Sequence, residues 1–174
     1  MSYIRQKASR NSVPSTLLNQ LAPESQSQVG LILTERFVNM PPQVAAPMYT
    51  MLLEEISWAL QEKEPYNFSH YLIFSKIYEE VAPSVDDEQY GPQKKKRRGT
   101  TGNETLYFHP EDEVLHRHAI GYCDFSYSRE NENHSSDARR AFGDKGIKPK
   151  GHLIFLEGSQ FSAAVSAVAD YMKT

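Results

Sequence analysis

Apolar positions recur at helical spacing through the first third of the chain, then crowd into extended runs separated by long polar stretches. Residues 3 to 21 read as two short helices, broken at Asn11-Ser12-Val13 and restarted at Pro14. A proline suits a first helical turn, where its missing N–H would have no partner anyway. Pro23 to Ser27 is a polar connector. From Gln28 to Met40 the spacing of Val29, Ile32, Leu33, Phe37 and Met40 predicts a further helix. Pro41-Pro42 stops it, because a residue before proline is pushed out of the helical region. The strongest stripe follows: Val44, Met48, Met51, Leu52, Glu55, Ile56, Ala59 and Leu60 lie three or four apart, with Leu53 and Trp58 at its edge. It predicts an amphipathic helix from about Pro42 to Lys63, with Pro47 near its start and Pro65 beyond its end.

The pattern then turns extended. Tyr66 to Val81 is dense in aromatic and β-branched residues, which predicts a strand centred on Tyr71 to Tyr78. Residues 82 to 105 are polar, charged and rich in Gly and Pro, a flexible excursion between strands. Leu106-Tyr107-Phe108 resumes a strand as hairpin partner of the first. Pro110 with Glu111, Asp112 and Glu113 opens a short helix, the acids complementing the positive end of its dipole. Ala119 to Tyr127 alternates as another strand, and residues 128 to 150 form a second polar, flexible loop. Leu153-Ile154-Phe155-Leu156 is a buried final strand, and Ser159 caps a closing helix to Met172. The expected architecture is α+β in one domain, helices leading and strands around long loops.

The chain of 174 residues is 39% hydrophobic and 24% charged, which fits one domain with its own core. Neither a membrane-spanning run nor an apolar signal core is visible, and a single cysteine, Cys123, fits a reducing compartment. These features predict an intracellular protein. The run Lys94-Lys95-Lys96-Arg97-Arg98 contributes +5 to a net charge of −3, leaving the rest of the chain at −8. A body of that sign attracts basic partners and repels nucleic acid. Five cations in an extended loop match the requirement of an import receptor for an accessible basic segment. Binding of single-stranded nucleic acid would need interleaved aromatics, whereas Tyr90 and Tyr107 lie outside the run.

Few residues suggest reaction chemistry. His109, His116, His118 and Cys123 fall within fifteen positions, but lack the paired spacing of a structural zinc site. They read as solvated or locally hydrogen-bonded, and Cys123 as an inert small hydrophobe in a strand. Neither a Gly-x-Ser-x-Gly elbow nor a phosphate-binding glycine loop occurs. No cofactor or metal is expected. For a basic partner the candidate contacts are Glu54, Glu62 and Glu64 beside the amphipathic helix, and the acidic start Glu111, Asp112 and Glu113. Their competing reading is solvated charge.

The segment from Val29 to Val44, VGLILTERFVNMPPQV, resembles the signature of the BCCIP family. Pro47-Met48-Tyr49, Tyr71-Leu72-Ile73-Phe74-Ser75-Lys76, the lysine-rich loop and Tyr107 to Glu113 extend the match, which runs from about Tyr3 to the C-terminus. The resemblance is to fungal members. It implies a nuclear escort protein: a chaperone for a basic large-subunit ribosomal protein, acting also in nuclear export of a phosphatidylinositol-phosphate kinase. It implies as well an α/β fold with a mixed, curved sheet and flanking helices, similar to the GCN-five-related acetyltransferases. The family pattern has an acidic tail and first strands ahead of the equivalent of Tyr3, so the chain reads as the C-terminal two-thirds of that domain. An acetyltransferase reading would need an Arg/Gln-x-x-Gly-x-Gly/Ala phosphate loop after a strand. Arg140-Ala141-Phe142-Gly143-Asp144-Lys145 has Lys where a small residue must allow close approach. The expected protein is therefore not an enzyme.

Overall fold

The computed structural model describes Ile4, Gln6 and residues 15–22, 24–34, 39–80, 105–127 and 147–173. The basic run 94–98 and the segment 140–145 lie outside the described residues, as do residues 82–104 and 128–146 of the two expected loops. In chain order the elements are α1 (Ser15–Gln20), β1 (Val29–Leu33), a 3-10 turn (Pro42–Val44), α2 (Ala45–Gln61), β2 (His70–Glu80), β3 (Leu106–Tyr107), α3 (Pro110–Arg117), β4 (Gly121–Phe125), β5 (Ile147–Glu157) and α4 (Gly158–Tyr171). The strands form one mixed sheet in the order β1-β2-β5-β4, with β3 on the far half of β2. Its helices cover both faces, as the expected mixed sheet with flanking helices requires.

Two long strands form the spine. β2 and β5 pair antiparallel from His70↔Glu157 to Glu80↔Ile147 without a break. β4 pairs antiparallel with β5, β3 antiparallel with β2, and β1 parallel with β2. A parallel pair cannot be closed by a tight turn, so α2 serves as the crossover between β1 and β2.

Because side chains alternate along a strand, the spine feeds two cores. Tyr71, Ile73, Ile154 and Leu156 meet Tyr49 of α2, Leu115 of α3 and Phe161, Ala164, Val165 and Val168 of α4. Tyr71 stacks on Phe161 at 4.2 Å between ring centres. On the other face Leu72, Leu153, Phe155, Cys123 and Phe125 meet Leu17 and Leu21 around α1. Gly151 is a point of close approach, since a Cβ there would lie 2.3 Å from the Phe125 ring.

Four expectations are corrected. The predicted helix from Gln28 to Met40 begins as β1 instead, over Val29–Leu33. Its spacing fits a helix, but Gly30 packs where a Cβ would lie 2.9 Å from the Tyr71 ring, and the backbone pairs with β2. Tertiary pairing has overridden a short local pattern. The loop expected over 128–150 ends earlier, because Ile147 to Lys150 already belong to β5. The N-cap of α4 is Glu157, not Ser159, and no side chain caps it. Gly158 opens that helix directly off the strand, where a Cβ would meet the Phe68 carbonyl at 2.5 Å and where its N–H donates to Ser69 O at 2.8 Å. Last, the stripe of α2 is only partly buried. Ala45 and Tyr49 lie in the core with Leu52, Leu53 and Ile56 packed against it, while Met48 and Met51 stay 54% and 58% exposed. The helix is apolar around more than the face it buries.

Phe161→Ala would leave a cavity where α2, α4 and β2 converge. The expected loss is about 3–5 kcal/mol, read as an earlier urea midpoint; a loss below about 1 kcal/mol would contradict this packing.

Candidate functional site

A row of polar side chains crosses the sheet beneath α3. Ser75 of β2 stands opposite His152 of β5, and His152 stands opposite Asp124 of β4. All three project to the face that carries Ile73 and Ile154, so the row replaces the next step of an apolar ladder. Ser75 and His152 are fully buried. Burying such groups is costly unless each finds partners, and they do. Ser75 Oγ donates to Asp112 Oδ2 at 2.5 Å. His152 Nδ1 meets Asp124 Oδ1, and His152 Nε2 meets His116 Nδ1 at 2.9 Å. Tyr107 and Tyr122 wall the two imidazoles, their rings 5.6 to 5.7 Å from that of His152.

α3 is placed over this row by its own sequence. Pro110 fixes its first turn, and Val114 and Leu115 bury its apolar side against the core. Asp112 and His116, one helical turn apart, then point at the row. Burial and the neighbouring His152 hold His116 below the usual histidine range, with Asp124 opposing. Burial, with Asp124, pushes Tyr107 up to about 12.

This geometry corrects the reading of the acidic start as solvated charge. Glu111 and Asp112 are 1% and 0% exposed, so neither is available to a docking partner. Only Glu113 reaches the surface, where it pairs with Arg117 at 2.6 Å. Glu54, Glu62 and Glu64 are exposed on and just after α2. The histidine-cysteine group is divided by strand alternation. Cys123 faces the α1 side while His116 lies on the α3 side, and the cysteine is raised to about 11 by burial first and by Asp124 second. His109 is buried rather than solvated. Among the described residues no group of three His, Cys, Asp or Glu is arranged to hold a metal ion. His152, the centre of the row, was not singled out by spacing, since it stands 28 residues from Asp124 and 36 from His116.

A second feature lies where α2 crosses β1. A cavity of about 340 Å³ is lined by Ile32, Leu33 and Thr34 of β1, by Met48, Met51, Leu52 and Glu55 of α2, and by His109 and Glu111. Leu33 is 69% exposed at its rim, and among the described residues β1 pairs only with β2. Glu54, Trp58 and Leu60 of α2 are exposed as well.

Fold and surface together describe a compact mixed-sheet domain whose accessible features are an apolar cleft and a band of carboxylates. The chain belongs to the BCCIP family, whose model matches residues 1–115. It is 51% identical to Protein bcp1 of Aspergillus fumigatus over 99% of this chain and 59% of that protein. It is 45% identical to Protein bcp1 of Schizosaccharomyces pombe over 94% of this chain and 58% of that one. The crystal structure of BCP1 from Saccharomyces cerevisiae shares the fold, with a TM-score of 0.54 at 19% identity, covering 98% of this chain and 58% of that chain. The chain thus spans under three fifths of the length of these relatives.

Two outcomes follow from this burial. Ser75→Ala removes a donor to a buried carboxylate and should cost about 1–3 kcal/mol in urea unfolding, more than an exposed serine such as Ser57→Ala. The Cys123 thiol should resist iodoacetamide at pH 8 in the folded chain and react once urea unfolds it; rapid native labelling would contradict its placement.

Proposed function

We propose that this chain is part of a non-enzymatic nuclear escort protein whose client is a basic ribosomal protein of the large subunit. The observation that carries the reading is the exposed surface on and just after α2, where Glu54, Glu55, Glu62 and Glu64 accompany exposed Met48, Met51 and Trp58 near the apolar cleft. A basic segment with scattered apolar side chains matches such a surface in both charge and polarity. Charge complementarity speeds encounter and keeps wrong partners away, while the apolar contacts slow release. The net charge of −8 outside the basic run acts in the same direction over the whole body. Family membership supports the reading, and the fungal resemblance supplies the client class and the export role toward a phosphatidylinositol-phosphate kinase. The run Lys94 to Arg98 serves an import receptor in this scheme.

The test is co-expression with the ribosomal client, scoring soluble client that co-purifies at moderate salt. Glu54→Lys, Glu55→Lys and Glu62→Lys combined should lower recovery at least about tenfold, equivalent to ~1.4 kcal/mol, without changing the melting temperature of the chain. Alanine at Lys94 to Arg98 should move the protein to the cytoplasm and leave recovery unaltered. Undiminished recovery in the triple variant would remove α2 from the interface. Loss of binding in the alanine variant would point to the basic run as the contact.

A further inference from the structure

We infer that Asp124, His152 and His116 form a proton-operated latch that fastens α3 to the sheet, independent of the client reading above. With Asp124 as a carboxylate and both imidazoles neutral, the hydrogen-bond chain has one consistent direction. As a carboxylate Asp124 can only accept, so His152 donates to it from Nδ1–H. A neutral imidazole carries one N–H, which leaves the His152 Nε2 lone pair as an acceptor. His116 must then donate to it from its own Nδ1–H, and His116 Nε2 is left with a lone pair. The two rings lie within 21° of parallel with centres 5.0 Å apart, yet their facing nitrogens are 2.9 Å apart. They therefore meet edge to edge, close to one plane, which is the geometry of an N–H···N bond and not of stacking.

Protons act on this chain in two distinct ways. A first proton can enter at His116 Nε2 and leave both hydrogen bonds in place. A second must enter at His152 Nε2, the very atom that accepts from His116, and it sets N–H against N–H across the same gap. The bond then opens, and α3 loses this hydrogen bond to the sheet while its apolar contacts and the Ser75–Asp112 bond stay in place. The groups facing the pair come from every adjoining strand: Tyr107 from β3, Asp124 and Tyr122 from β4. Asp112 and Glu113 stand on α3 itself, and both act on Tyr107. Burial of His116 opposes its charging, so the folded chain binds fewer protons here than the unfolded one, whose histidines titrate near about 6.5. The latch is thus fully closed above that pH and weakens as pH falls below it, by about tenfold in the closing equilibrium per pH unit for each missing proton.

The test uses the whole 174-residue chain, labelled with nitrogen-15. Imidazole nitrogen spectra at pH 8 should show both His116 and His152 as Nδ1–H tautomers, the less common neutral form in water. As pH falls from 6.5 to 5, exchange protection of the amides of Val114 to Arg117 should fall, by at most about tenfold per pH unit, ahead of those of β2 and β5. His116→Phe keeps a ring between the tyrosines and removes the titrating donor, so α3 protection should lose this pH dependence. An Nε2–H tautomer at either histidine would overturn the latch. So would α3 protection that is equal at pH 8 and pH 5 in the unaltered chain, or an unchanged pH dependence in the phenylalanine variant. Should that variant not fold, the tautomers and protection of the unaltered chain decide the matter alone.

Discussion

The uninterrupted ladder between β2 and β5 is the constraint on which the other elements depend. Eleven residues of each strand are paired, and every other strand attaches to one of these two. With helices on both faces, inward-facing and outward-facing positions are both buried. Leu153, Ile154 and Leu156 are all fully enclosed, so the strand reads as a continuous apolar run instead of an alternation. Each core residue on one face is therefore coupled through the backbone to one on the other, Ile154 to Leu153 and Phe155. Displacing the spine would disturb both cores together.

The same ladder fixes where polarity enters the interior. Successive cross-strand pairs on the α3 face run Tyr71–Leu156, Ile73–Ile154 and then Ser75–His152. At that third step the apolar face gives way to hydrogen-bonding groups, and α3 responds with Asp112 and His116 in place of leucines. An apolar row would satisfy the fold at lower cost, because buried polar groups stabilise little even when fully paired. What the polar row adds is direction. Each donor accepts only one partner geometry, so α3 has one rotation and one height over the sheet. Departures of this kind from the simplest core are where a fold carries duties beyond its own stability.

The opposite end of the molecule works by surface instead of by network. α2 bridges β1 and β2, burying Ala45 and Tyr49 with Leu52, Leu53 and Ile56 packed against the core. Its exposed Met48 and Met51 line the cleft beside the open side of β1 together with Glu55. Exposed methionines adapt to varied contacts, and in the proposed escort role the acids select which partners approach. The curated relatives are considerably longer than this chain.

Local pattern was enough for much of the architecture. The long helix before a strand at Tyr71 to Tyr78, the Cys123 strand and the final buried strand stand where hydrophobic pattern put them, and the Pro110 helix where its proline and first-turn acids did. The signature from Val29 to Val44 and its continuation to Glu113 also carried the family. What sequence could not decide were choices made by distant partners. Val29 to Leu33 is a strand because Gly30 lies flat against Tyr71, which is 41 residues away in sequence. Glu111 and Asp112 are interior because the sheet places Ser75 and the α2 cleft beside them, though an acidic helix start looks the same whether it is wet or dry. His152 became the centre of a relay only when β5 was set between β2 and β4. Periodicity reports which face of an element is apolar. It is silent on what that face will meet, since pairing and burial are properties of surfaces brought together only by folding.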